Sequence, residues 1–228
     1  MSKTLQQLSI ATLGASLVTL GVGLGQQAEA ATLFGDRTTF ENNLSSIIVD
    51  DYSNPGYLVG GNPASSIVIH NDAYMSSVVG ETKYTATGFS NTNIILKYLN
   101  NAYCAGCNGS FLLDFTETSI GTAAGVFGAG FDITDATQYF AHVTFGDNTT
   151  QDYSLANKTF WGLTSDKSIK SVHVGLQNGG TTQNGYISID KLTIGATSVP
   201  EPTTMLGILG MAAVGTTSLL KRNKVNKA

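Results

Sequence analysis

Tyr139-Phe-Ala-His-Val-Thr-Phe145, followed at once by Gly146-Asp-Asn148, decides the fold. Tyr139, Ala141, Val143 and Phe145 share one parity, and the polar residues His142 and Thr144 take the other. A period of two is the mark of a half-buried strand, and Gly-Asp-Asn is a turn signal. The same grammar spreads outward. Val172, Val174 and Leu176 share a parity, as do Ile187 and Ile189, with Asn178-Gly179-Gly180 and Asn184-Gly185 as punctuation. Further strands are expected over 47–52, 66–70, 92–99, 110–115, 125–133, 150–155 and 158–162, with one short helix over 38–44. About ten short strands separated by Gly-rich turns argue for an all-β, antiparallel sandwich or barrel.

Within this pattern, Gly125-Val-Phe-Gly-Ala-Gly-Phe-Asp-Ile-Thr-Asp135 mixes strand formers with residues that have no side chain. Glycine weakens a strand unless another group comes close to its backbone. The expectation is a central strand crossed by an aromatic ring, Phe140 or Trp161; the alternative is a shallow binding groove. Trp161 is the only tryptophan, next to Phe160. Adjacent strand residues point to opposite faces. One ring should then be buried and the other exposed. Phe160 is assigned to the core, which leaves Trp161 partly exposed as a candidate sugar-stacking platform.

Few residues can carry chemistry. His70, His142 and His173 end or interrupt strands, and the parity of His142 and His173 turns them away from the core, as surface histidines. A joint metal site would require two of them on adjacent strands. Cys104 and Cys107 are the only cysteines. In an oxidising compartment they should close a disulfide, contributing about 2 kcal/mol. A redox role would need the pair at a helix N-terminus, and a zinc site would need two more ligands. Asp132, Asp135, Asp147, Asp152 and Asp190 fall at strand ends and turns. Turn hydrogen bonding explains them, and a structural Ca²⁺ is the alternative. The sequence contains no Gly-x-Ser-x-Gly, no His-Glu-x-x-His and no phosphate-cradling loop, so no catalytic residue is assigned.

The ends of the chain read as addresses. Residues 1–30 have a basic Lys3, an apolar stretch from Leu8 to Leu24, and Ala28-Glu-Ala30 as a small-x-small cleavage rule, with the cut between Ala30 and Ala31. This is a secretory signal helix. Between residues 31 and 198 there are fourteen acidic and seven basic side chains. That balance is unsuited to phosphate neutralisation and excludes nucleic acid as an expected partner. The chain closes with Val199-Pro200-Glu201-Pro202, an uncharged run from Met205 to Leu220, and the basic tail Lys221-Arg222-Asn-Lys224-Val-Asn-Lys227-Ala228. As a helix the run is about 24 Å long. Thr203 and Thr204 extend it at one end and Lys221 snorkels at the other, so 203–220 is read as a transmembrane helix against a core of about 30 Å. The basic tail, 221–228, favours a cytoplasmic C-terminus.

The order Pro-Glu-Pro, apolar helix, basic tail over residues 199–228 resembles the PEP-CTERM sorting signal of bacterial exported proteins. The resemblance implies recognition by an exosortase-type membrane protease, with release near Pro200-Glu201-Pro202. Gly128-Ala-Gly-Phe-Asp132, Val143-Thr-Phe-Gly-Asp147, Phe160-Trp-Gly-Leu-Thr-Ser165, Ile169-Lys-Ser-Val-His-Val174 and Ile189-Asp190…Ile194-Gly195 resemble the jelly-roll domains that precede such signals in cyanobacterial proteins. This implies a single antiparallel β-sandwich over 31–198, like that of carbohydrate-binding modules, between the signal helix and the transmembrane helix. Two functions stay open: a non-enzymatic envelope or matrix protein that binds polysaccharide, and a secreted glycan-active enzyme. The partners implied are the secretion machinery, the sorting protease and, before processing, the membrane.

Overall fold

The computed structural model describes residues 31–135 and 138–197. The signal segment with Ala28 and Ala30, the sorting motif Val199–Pro202 and the apolar run 203–220 lie outside the described residues. In chain order the elements are β1 (Ala31–Phe34), α1 (Arg37–Glu41), β2 (Leu44–Asp50), β3 (Ile67–His70), α2 (Asp72–Ser77), β4 (Lys83–Ala86), β5 (Asn93–Leu96), β6 (Ala102–Ala105) and β7 (Phe111–Asp114). They continue with β8 (Val126–Asp135), β9 (Phe140–Phe145), β10 (Thr150–Ser154), β11 (Phe160–Gly175) and β12 (Ser188–Thr197). The protein is all-β, and among the described residues the strand pairings are antiparallel, in one twelve-stranded hydrogen-bonded sheet. Among the described residues no helix is long and apolar enough to cross a membrane.

The deciding stretch behaves as its parity demands. In β9 the side chains of Ala141, Val143 and Phe145 are buried and the residues between them are half-buried. Phe145 donates its backbone N–H across the Gly146–Asn148 turn to the Thr149 carbonyl, Asn148 N–H donates back to the Phe145 carbonyl, and β10 pairs from Thr150↔Thr144. Val172 and Val174 are buried on the same core, together with Ile187 and Ile189. Leu176 is 44% exposed, because β11 ends one residue earlier and the chain turns away there.

Strand β11 organises the sheet. Its first half, Phe160–Thr164, pairs with β8, and β1 runs along Gly162–Ser165. Its second half pairs with β9 on one edge and β7 on the other. Two separate strands are expected here, one over 158–162 and one carrying Val172 and Val174. The chain has no glycine or proline between Leu163 and Val174 to end a strand. The change of partners is instead accommodated by a left-handed Ser168 (φ +61°) and a register shift between Ile169 and Ser171.

The glycines of β8 are crossed closely by aromatic rings, as their strand context requires, but the rings are not Phe140 or Trp161. A Cβ on Gly130 would lie 3.0 Å from both Phe40 and Phe160, and one on Gly162 would lie 2.9 Å from Phe40. Phe40 comes from α1, whose N-terminus is capped by the Asp36 carboxylate accepting from the Thr39 N–H. Arg37 fastens the helix down. Its guanidinium lies 5.0 Å over the Phe160 ring and pairs with Glu41 at 2.9 Å and Asp132 at 3.0 Å. The shallow groove considered for this strand is therefore filled.

Phe160 and Trp161 do point to opposite faces, yet both are buried. Trp161 packs in the main core, its ring 5.1 Å from Phe131 and 6.1 Å from Tyr153. Phe160 packs under α1 with Phe34 and Phe40. The expectation of an exposed Trp161 failed because the second face of the strand also carries a cover. Three four-residue strands, β1, β4 and β6, had no alternation long enough to recognise. Helix α2 had a legible start: Asn71 accepts from the Tyr74 N–H as its cap.

Candidate functional site

Three adjacent strands place Asp152, His142 and His173 in one row. The register sets Asp152 opposite His142 across β10–β9, and His142 opposite His173 across β9–β11. Both imidazoles lie on the face turned away from Ala141, Val143, Val172 and Val174, as their parity predicts. They are not surface residues, however. His173 is only 7% exposed, and the His142 side chain only 19%. The last residue of β11 and the segment after it lie against them. A Cβ on Gly175 would lie 2.7 Å from His173 Cε1, and one on Gly179 would lie 3.0 Å from His142 Cδ2.

Hydrogen bonds fix how each ring is held. His142 Nδ1–H donates to Asp152 Oδ1 at 2.7 Å, and the other oxygen of Asp152 accepts from the Asn178 N–H at 2.8 Å. That leaves His142 Nε2 as a bare lone pair. Beside His173, the Thr87 hydroxyl donates to Ser110 Oγ, and Ser110 donates on to the Thr182 carbonyl. Thr87 Oγ1 therefore accepts from His173 Nε2–H at 2.9 Å. His173 Nδ1 is left as a second lone pair, buried and without a hydrogen-bond partner. Burial, and then the neighbouring His142, hold the His173 imidazole down at about 4. It is neutral at physiological pH.

His70 is also buried. Its Nε2 bonds the Tyr57 carbonyl at 2.7 Å and its ring stacks on Tyr74. A buried carboxylate that parity did not flag is Asp50. It accepts from the hydroxyls of Tyr57 and Tyr84 and from the Tyr52 N–H. Burial still pushes its carboxyl up. This polar knot closes the core beneath Tyr52, which stands at φ +55°. An open groove of about 430 Å³ lies between α2 and β4, lined by Asp72, Glu81, Lys83, Thr85, Asp114 and Glu117. Asp72, Glu81 and Asp114 already accept from Asn93, Ser119 and Thr116 respectively.

Cys104 and Cys107 form a disulfide, with Cys104 at the end of β6 and Cys107 in the turn that follows. The pair is not at a helix N-terminus. Of the aspartates considered for Ca²⁺, only Asp132 and Asp190 are register partners, across β8 and β12. Asp132 pairs with Arg37 and Lys191, Asp147 with Lys167 and Thr149, Asp152 with His142, and Asp190 bonds the Lys191 N–H. Among the described residues no group of three or more His, Cys, Asp or Glu is placed to hold a metal ion. Trp161, the sugar-stacking candidate, has no exposed ring face. The His142–His173 pairing is invisible in the sequence, since nothing local assigns β9 to β11.

In comparisons with protein-family models, curated proteins and solved structures, none matches this chain.

Proposed function

We propose that this chain is an exported, non-enzymatic protein of the cell envelope or extracellular matrix, delivered through its C-terminal signal and binding polysaccharide. The observation that carries the proposal is the order of residues 199–228: Pro200-Glu201-Pro202, then an uncharged run, then four basic residues within seven positions. The Cys104–Cys107 disulfide supports an oxidising destination. The domain over 31–198 is proposed to be a jelly-roll-like sandwich. The change of partners halfway along β11 supports two packed layers that share that strand. With Trp161 buried, the aromatic faces left for stacking on sugars are Tyr98 and Tyr186, 63% and 68% exposed.

The test is the mass of the mature protein in a host with the sorting protease and in one without it. Cleavage near Pro200–Pro202 is expected only in the first. Identical masses that retain residues beyond Leu220 would make the tail a permanent anchor. A glycan array run beside a hydrolysis screen then separates binding from turnover.

A further inference from the structure

We propose that His142 and His173 bind a borderline divalent ion of the Zn²⁺ or Cu²⁺ type, held between β9 and β11 with water completing its shell. The two residues are register partners on adjacent antiparallel strands. Each imidazole has one nitrogen committed as a donor to a fixed acceptor, Asp152 for His142 and Thr87 for His173. Each therefore keeps one lone pair. A carboxylate or hydroxyl that fixes the tautomer of a histidine is the usual outer shell of a metal ligand. Asp152 is itself held by the Asn178 N–H.

The placement of the free nitrogens matters as much as their number. The two nitrogens of an imidazole lie on opposite flanks of the ring. Thr87 follows β4 and neighbours Ser110, on the β7 side of β11. With Nε2 held there, Nδ1 of His173 lies on the flank towards β9 and His142. With Nδ1 of His142 held by β10, its Nε2 lies on the flank towards β11. His173 Nδ1 is the telling atom, because a buried acceptor without a donor is costly unless something occupies it. Glycines stand beside both rings, so no side chain from residues 175 or 179 enters the space near Cε1 of His173 or Nε2 of His142. Nitrogen donors select Zn²⁺, Cu²⁺ or Ni²⁺ over Ca²⁺ and Mg²⁺, which prefer oxygen.

The site stands apart from the export proposal and can be tested separately. The purified full chain is titrated with Zn²⁺ by calorimetry, with the ring resonances of all three histidines followed by NMR. One Zn²⁺ per chain is expected, with the His142 and His173 signals moving and His70 unmoved. Mg²⁺ should produce neither effect. Asp152→Asn should weaken Zn²⁺ binding by about 10–100-fold, as the loss of an outer-shell partner does. His142→Gln, at the more exposed ring, should abolish it while the thermal midpoint of the metal-free protein stays close to wild type. His173→Gln should also abolish it. If that variant does not fold, His142→Gln and Asp152→Asn decide the matter. No heat and no resonance shift at millimolar Zn²⁺ would overturn the proposal, as would binding that His142→Gln leaves intact.

Discussion

Gly130 and Gly162 face each other directly across β8 and β11, and Phe40 rests on the bare backbone they share. A Cβ would stand 3.0 Å from the nearest Phe40 carbon at Gly130 and 2.9 Å from it at Gly162, closer than carbon atoms pack without something shifting. The pair is a socket for an aromatic ring carried by a helix of five residues. Such a helix is too short to be stable alone. Its place depends on this contact and on Arg37.

Phe40→Ala should therefore cost about 3–5 kcal/mol, the range for a fully buried aromatic. Gly162→Val, although valine is the better strand former, should also destabilise, because its side chain and Phe40 cannot share the socket. Urea denaturation of both variants checks this. A neutral or stabilising Gly162→Val would show that the ring is free to move aside.

Trp161→Ala should likewise cost about 3–5 kcal/mol, against about 0.5 for an exposed position. As the only tryptophan, Trp161 is its own reporter. Its emission should be blue-shifted and protected from acrylamide in the folded protein. Ready quenching in the native state would return the ring to the surface.

Native protein should contain no free thiol, since Cys104 and Cys107 are bonded to each other. Alkylation before reduction should add no mass, and alkylation after reduction should modify both residues. Replacing both cysteines by serine should lower stability by about 2 kcal/mol or less, because the loop they close is short.

His173 makes stability depend on pH in a definite direction. Its folded-state value of about 4 lies below the ordinary 6.5. The unfolded chain therefore takes up the proton first. The contribution to stability is complete above pH 6.5 and is lost as pH falls towards 4. The groups that face the ring are His142, and through it Asp152, with neutral Thr87 and Ser110 on the other side. In metal-free protein the thermal midpoint should drop across that window more steeply for wild type than for His173→Gln. Parallel curves would remove His173 as the cause.

Much was legible without the structure. The parity of Tyr139–Phe145, the turn residues at 146–148 and the close cysteine pair are local facts, and local facts survive folding. The all-β class, the inward set Ala141, Val143 and Phe145, and the disulfide follow from them directly. What parity cannot say is whether the other face of a strand meets water or a second cover. Phe160 and Trp161 are both buried because Phe40, 120 positions earlier, returns to roof the glycine face. Likewise, His142 and His173 are 31 positions apart, and only the pairing of β9 with β11 sets one opposite the other. Alternation fixes the side a residue takes, since it is a property of one backbone. The neighbour it meets there depends on which distant strands pair and in what register, which is a property of the whole chain.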